Sequence, residues 1–120
     1  MPRFVSISTN TDLLRFPSDV LMYIEADGNY SILYTKDGKR RQVPFQLGQL
    51  EHMIEVQLGY DESPFMRAGK SLIVNMDFIY ELDLTDLNLI LSDWCGNLFK
   101  FKVSRKALGN IKSILENTER

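Results

Sequence analysis

Two periodicities divide this chain. Apolar and polar positions alternate with a period of two over several short stretches, and recur at helical spacing over two longer ones. Leu13–Phe16 predicts a first strand, and Pro17-Ser18-Asp19 breaks it with a short helical turn. Leu21–Ala26 predicts a second strand, which reverses at Asp27-Gly28-Asn29. Tyr30, Ile32 and Tyr34 then alternate with Ser31, Leu33 and Thr35 as the returning arm. Lys36-Asp37-Gly38-Lys39 contains Asp-Gly, a hairpin signal, and Arg41–Phe45 forms the next strand, with Pro44 marking its end or an edge. Leu47, Leu50, Ile54 and Leu58 predict an amphipathic helix stopped by Gly59.

Beyond Pro64, Leu72–Met76 predicts a buried strand. Phe78, Tyr80, Leu82 and Leu84 alternate with Ile79, Glu81, Asp83 and Thr85, which predicts a strand with one wet face. Thr85-Asp86-Leu87-Asn88 turns the chain. Leu89–Leu91 and Leu98–Val103 flank a second turn at Asp93-Trp94-Cys95-Gly96-Asn97, with Phe99, Phe101 and Val103 on one face and Lys100 and Lys102 on the other. Ser104 caps a last helix whose buried stripe is Leu108, Ile111 and Leu115. Strands and helices do not alternate regularly, so a doubly wound parallel sheet is excluded in favour of a mainly β, antiparallel domain with one helix in the middle and one at the C-terminal end.

Composition narrows the picture a little. The 120 residues suit a single domain, read as 1–120, and 44% hydrophobic with 25% charged residues is ordinary for a soluble globular chain. No apolar run suits a membrane crossing, and Met1-Pro2-Arg3-Phe4 lacks a signal-peptide core. A single cysteine, Cys95, allows no internal disulfide and points to a reducing, cytoplasmic setting. The net charge of −2 conceals uneven placement. Lys100, Lys102, Arg105, Lys106 and Lys112 fall in a stretch without acids, and Lys36, Lys39, Arg40 and Arg41 cluster around one turn. Asp77, Glu81, Asp83, Asp86 and Asp93 fall in a stretch without bases. Either the fold carries one basic and one acidic face, or these are ordinary solvated loops.

The candidate chemistry lies in the basic loops. Arg67-Ala68-Gly69-Lys70-Ser71 runs directly into the strand closed by Asn75, so cations and a glycine sit at the mouth of a rigid element. A lysine at such a tip can donate to guanine O6 or N7. Asn29 can meet an adenine edge, although turn asparagines commonly serve the backbone. Ser104 offers a hydroxyl and free N–H groups to a phosphate, with Arg105 and Lys106 adding charge. His52 and Cys95 are the sole residues of their kinds and sit far apart in the predicted elements, so a catalytic dyad or a zinc site is a weak reading beside a packing cysteine and a half-buried histidine. The acids of 77–93 show no calcium-loop spacing, and neither a phosphate-binding glycine loop nor a nucleophile elbow appears. No enzyme, metal or cofactor is expected.

These elements in this order resemble the LytTR DNA-binding domain, usually the C-terminal output module of bacterial response regulators. The resemblance spans about residues 13–117. It is carried by Tyr23-Ile24-Glu25-Ala26-Asp27-Gly28-Asn29-Tyr30, by Leu47 and Leu50, by Phe65-Met66-Arg67 and Ser71-Leu72-Ile73-Val74-Asn75, and by Val103-Ser104-Arg105. It implies an elongated β fold whose loops enter successive major grooves of one DNA face, often at paired direct repeats. Carried over by position, Asn29, Tyr30, Lys70 and Lys106 are the base-reading candidates. Arg67, Ser71, Ser104, Arg105 and Lys102 are the phosphate candidates, and Asn75 is expected to fix the second loop through its backbone. Gly69-Lys70 departs from the His-Arg or His-Asn common in the family, which removes an imidazole donor and exchanges an arginine fork for a point charge.

The resulting expectation is sequence-specific DNA binding in bacterial transcription control, with double-stranded DNA as partner, pairing or homodimerisation on repeats, and no membrane or small-molecule substrate. The alternative is a protein-interaction module on the same scaffold with weak or lost DNA binding. With no room for a phosphoacceptor receiver, the chain reads as a fragment of a longer regulator or as one that stands alone.

Overall fold

Leu21–Asp27 becomes the middle strand of a five-stranded antiparallel sheet in the computed structural model, which describes residues 3–118. Met1 and Pro2, half of the tetrapeptide scanned for a signal core, lie outside the described residues, as do Glu119 and Arg120. In chain order the strands are β1 (Phe4–Ser8), β2 (Leu13–Pro17), β3 (Leu21–Asp27), β4 (Tyr30–Thr35), β5 (Arg40–Val43), β6 (Phe65–Arg67), β7 (Leu72–Asn75), β8 (Ile79–Asp83), β9 (Asn88–Ser92) and β10 (Leu98–Lys102). Helix α1 (Leu47–Leu58) follows β5, and α2 (Arg105–Thr118) closes the chain. The sheets run β5-β4-β3-β7-β6, β10-β9-β8 and β1-β2. The principal extents of 45 × 32 × 28 Å make the molecule elongated.

Strand alternation splits the core in two. On one face of the five-stranded sheet, Ile24, Leu33, Val43 and Ile73 meet α1 and the β1–β2 hairpin. The helix buries Leu47, Leu50, Ile54 and Leu58, the four residues of its sequence stripe. On the other face, Tyr23, Leu72 and Val74 meet the three-stranded sheet and the Leu108 and Ile111 side of α2. A register shift between Leu21 and Tyr23 lets four consecutive residues, Leu21 to Ile24, all be buried: Leu21 and Ile24 face α1, while Met22 and Tyr23 face the other layer. Fully covering each such aliphatic side chain contributes about 1.5–3 kcal/mol relative to leaving it wet.

Two strands escape the sequence pattern, β1 and β6. The Gln57 side-chain amide stands in for a strand partner of β1, accepting from the Ser6 N–H (2.8 Å) and donating to the Ser6 carbonyl (2.9 Å). Arg3 reaches the last carbonyls of α1, at Gln57 (2.9 Å) and Leu58. The alternation expected across 78–84 is broken as well. A register shift between Ile79 and Glu81 turns Tyr80 out to solvent, where its ring meets exposed Trp94 at 6.4 Å, while Phe78 stays buried. His52 and Cys95, expected to be half-buried and packed, are both exposed.

Candidate nucleic-acid interface

Antiparallel pairing brings two of the three sequence-selected elements to one end of the central sheet. The β3–β4 hairpin closes with Asp27 opposite Tyr30, leaving Gly28-Asn29 as a two-residue turn. Gly28 has φ +63°, a conformation that a side chain disfavours and that this tight reversal requires. On the other side of β3, Glu25 pairs with Leu72, and the Ala26 N–H donates to the Ser71 carbonyl at 2.9 Å. The Ala68–Ser71 loop therefore lies beside the Gly28-Asn29 turn, with Asn29, Tyr30, Lys70 and Ser71 all exposed.

The second loop is held by Arg67. Its guanidinium donates to the carbonyls of Gly69 (3.3 Å) and Lys70 (3.5 Å) and pairs with Glu51 of α1 at 3.4 Å. Gly69 takes φ +98°, and Ala68 is buried with its N–H donating to the Leu72 carbonyl at 2.8 Å. Lys70 projects from this brace with its ammonium unpaired among the described residues, so the charge stays available. Asn75, expected from its place in the sequence to fix the second loop, does not do so. Its side chain is fully buried at the opposite end of β7, donating to the carbonyls of Leu21 (3.0 Å) and Ser18 (3.5 Å) and accepting from the Asp77 N–H (2.9 Å). It fastens the two 3-10 turns, Ser18–Val20 and Met76–Phe78, and makes no bond to the 67–71 loop.

Sequence reasoning missed Gln46. It precedes α1, donates its backbone N–H to Gln49 Oε1 (2.8 Å) and its side-chain amide to Asn29 Oδ1 (3.2 Å). The first helix is thereby tied to the first turn, and the Asn29 amide NH₂ remains as a donor. The spacing of Gln46 and Gln49 across the helix start is that of a capping box, but with Gln in place of the usual Ser or Thr the signal is weak in sequence.

The third element reaches the interface less directly. β10 starts beside Thr35–Lys39, with Cys95, Asn97 and Phe99 lining a crevice there, and runs on past Tyr23, whose ring meets Phe101 at 4.8 Å and Phe99 at 6.1 Å. It thus leads away from the Lys36–Lys39 end and delivers Val103 into the core cluster that holds Ala68. Ser104 caps α2, accepting from the Ala107 N–H at 3.2 Å, and Arg105 and Lys106 stand exposed in the first turn with no acid beside them. Cations at a helix N-terminus oppose its dipole, at about 0.3–1 kcal/mol each, and an anion placed there reverses the sign. Lys102 is exposed, with its ammonium on the Asp86 carbonyl at 2.8 Å.

Asp93 accepts from the N–H groups of Cys95 (2.8 Å) and Asn97 (3.1 Å) and from the Asn97 side chain (2.8 Å), bonds that hold its carboxyl below the usual carboxylate range. Among the described residues no group of three or more His, Cys, Asp or Glu side chains gathers as a metal ion needs, and no helix is long and apolar enough to cross a membrane.

Comparison with known proteins agrees with this architecture. The sequence profile of the LytTR family, described as the LytTr DNA-binding domain, matches residues 12–116. Among solved structures, the chain is similar to the LytTr DNA-binding domain of a Bacillus cereus protein described as a methyl-accepting/DNA response regulator. The two share 22% identity, the match covers 94% of this chain and 96% of that one, and the TM-score is 0.65. No protein with a curated description matches.

Proposed function

The chain belongs to the LytTR family of DNA-binding domains, and from that premise we propose that it recognises specific double-stranded DNA sites in bacterial transcription control, in the cytoplasm and without catalysis or a cofactor. The observation that carries this reading is the Ala26–Ser71 hydrogen bond, which sets two hairpin turns side by side on a rigid sheet. Loops on such a scaffold keep their spacing when they enter a groove. Residues 13–117 act as one unit in this reading.

Lys70 and Asn29 read base edges, Lys70 as a donor to guanine and Asn29 through the amide NH₂ that Gln46 leaves uncommitted. Tyr30 and Lys106 complete the base-reading set. Ser71, Ser104, Arg105 and Lys102 take phosphates, and Arg67 contributes mainly by shaping the second loop. Two copies occupy a direct repeat, each placing its turns in successive major grooves.

Titration of direct-repeat duplexes selected from a random pool tests the reading. Specific binding is expected with a Kd that rises steeply with salt, because each neutralised phosphate releases counterions. Binding absent even at low salt would favour the second reading, a protein-interaction module. That alternative draws on the acids at 77–93 and on the exposed Tyr80–Trp94 pair beside them.

A further inference from the structure

We propose that the crevice between β2 and the β4–β5 hairpin is a binding site for a small apolar anion: a molecule with an aryl or alkyl body and one carboxylate, sulfonate or phosphate head. The cavity measures about 530 Å³, within the range of small-molecule sites. Its floor is Leu14, Phe16, Val20 and Leu33. Phe16 and Leu33 are nearly covered by the fold, whereas Leu14 and Val20 are only partly buried against it, so some apolar surface is there for a guest to cover.

The rim supplies the charge. Arg40 is committed to Tyr34, its Nε donating to the phenol oxygen at 3.4 Å, and Arg41 is committed to Asp12 at 2.7 Å. Arg15 has no carboxylate within ion-pair reach among the described residues, and its guanidinium lies 3.9 Å from the centroid of the Phe4 ring. Lys39 is 80% exposed and touches Asp37 only at 3.8 Å. The Asp37 carboxylate, the one acid on this rim, is itself occupied by the Thr35 hydroxyl. Lys39 is therefore the rim cation most open to an incoming anionic head, and Arg15, on the face of β2 opposite Leu14 and Phe16, joins it by leaving the Phe4 ring.

The site is separate from the DNA-reading turns. The Lys36–Lys39 turn closes the far end of β4, six residues from Tyr30, which is about 20 Å at ~3.3 Å per residue. An apolar-floored crevice also suits a hydrocarbon body and offers a phosphodiester backbone little. The inference stands whether or not the DNA reading holds.

The experiment uses the full chain with anilinonaphthalene sulfonate as the aromatic anion and phenyl-naphthylamine as its uncharged analogue. Saturable fluorescence enhancement is expected, with amide NMR shifts centred on Arg15, Val20, Thr35 and Lys39. The neutral analogue and an Arg15→Gln/Lys39→Gln double variant are each expected to bind about tenfold more weakly. Both substituted positions are exposed, so an unchanged melting curve verifies the fold. The inference is overturned if the variant binds the sulfonate as the parent does, if the two dyes bind equally, or if the shifts map to the Tyr80–Trp94 surface. Binding of an alternating Glu-Leu peptide without any dye binding would also overturn it, by assigning the crevice to a protein segment.

Discussion

The backbone N–H of Ala26 lies 2.9 Å from the carbonyl oxygen of Ser71, and this bond continues the β3–β7 ladder one step past the start of β7, to within a residue of the end of β3. The two turns beyond it are thus positioned by the same ladder that builds the core. Side chains at their tips change without disturbing that ladder. Lys70→Ala is therefore expected to leave the melting temperature within error and to weaken binding to a selected duplex by ~1–3 kcal/mol, the range for losing a base contact. Anisotropy titrations on the selected site and on a scrambled one check it: unequal losses mark a base reader, and equal losses mark a phosphate contact.

Arg67 is expected to behave differently. Its guanidinium braces the loop carbonyls of Gly69 and Lys70 and joins Glu51. Arg67→Ala should shift the amide resonances of residues 68–71 and weaken binding to all sequences. Glu51→Gln should reproduce part of the amide shifts although Glu51 lies on α1, outside the loop. If Arg67→Ala leaves those amides unmoved, the brace is unimportant in solution.

Much of this arrangement was legible in the chain. The stripe of Leu47, Leu50, Ile54 and Leu58 is the buried face of α1, and Ser104 is the cap of α2, because each depends on neighbours within a turn. What escaped depends on distant partners. Asn75 bonds residues 54 and 57 positions away, so its neighbourhood in sequence suggested the wrong loop. β1 finds its edge partner in Gln57, 51 positions on. Tyr80 looked like a core position because it falls in step with Leu82 and Leu84, which do pack on the core; the register shift between Ile79 and Glu81 turns Ile79 inward and Tyr80 outward without changing any residue type. The two turns at the end of β3 and the start of β7 were located by glycines and cations. The tie from Gln46 to Asn29 needs the fold before it can be seen.

Asn75→Ala should be among the most damaging polar substitutions. It strands the buried carbonyl of Leu21, which costs about 1–3 kcal/mol, and removes the acceptor of the part-buried Asp77 N–H. Urea unfolding should show a lower midpoint with an unchanged m-value. Native protein below the transition should bind DNA as the parent does, because the residue lies at the end of β7 away from the 68–71 loop.

Tyr23 sets an alkaline limit. Burial, then the nearby Glu25 charge, pushes its phenol up to about 12 from 10.0, while its ring stacks on Tyr34 at 4.4 Å. A folded pKa above the unfolded one means that the stabilisation is fully present below pH 10 and is lost as pH rises toward about 12. Melting temperatures of the parent should fall between pH 9 and pH 11.5 more steeply than those of Tyr23→Phe, which keeps the ring and lacks the titrating hydroxyl. Parallel curves would mean that Tyr23 does not carry the alkaline limit.

The first turn of α2 supplies the last test. Arg105 and Lys106 add positive charge where the helix dipole is already positive, an arrangement that destabilises the free protein and favours an anion-bound one. Arg105→Gln should therefore leave stability equal or slightly raised while weakening DNA binding. The slope of log K against log salt should become shallower by about 0.9, the value for one lost phosphate contact on duplex DNA. Lys106→Gln should lower affinity more on the selected site than on a scrambled one if Lys106 reaches a base. Were both substitutions to leave slope and affinity unchanged, α2 would lie off the duplex, and recognition would rest on the two turns joined by Ala26 and Ser71.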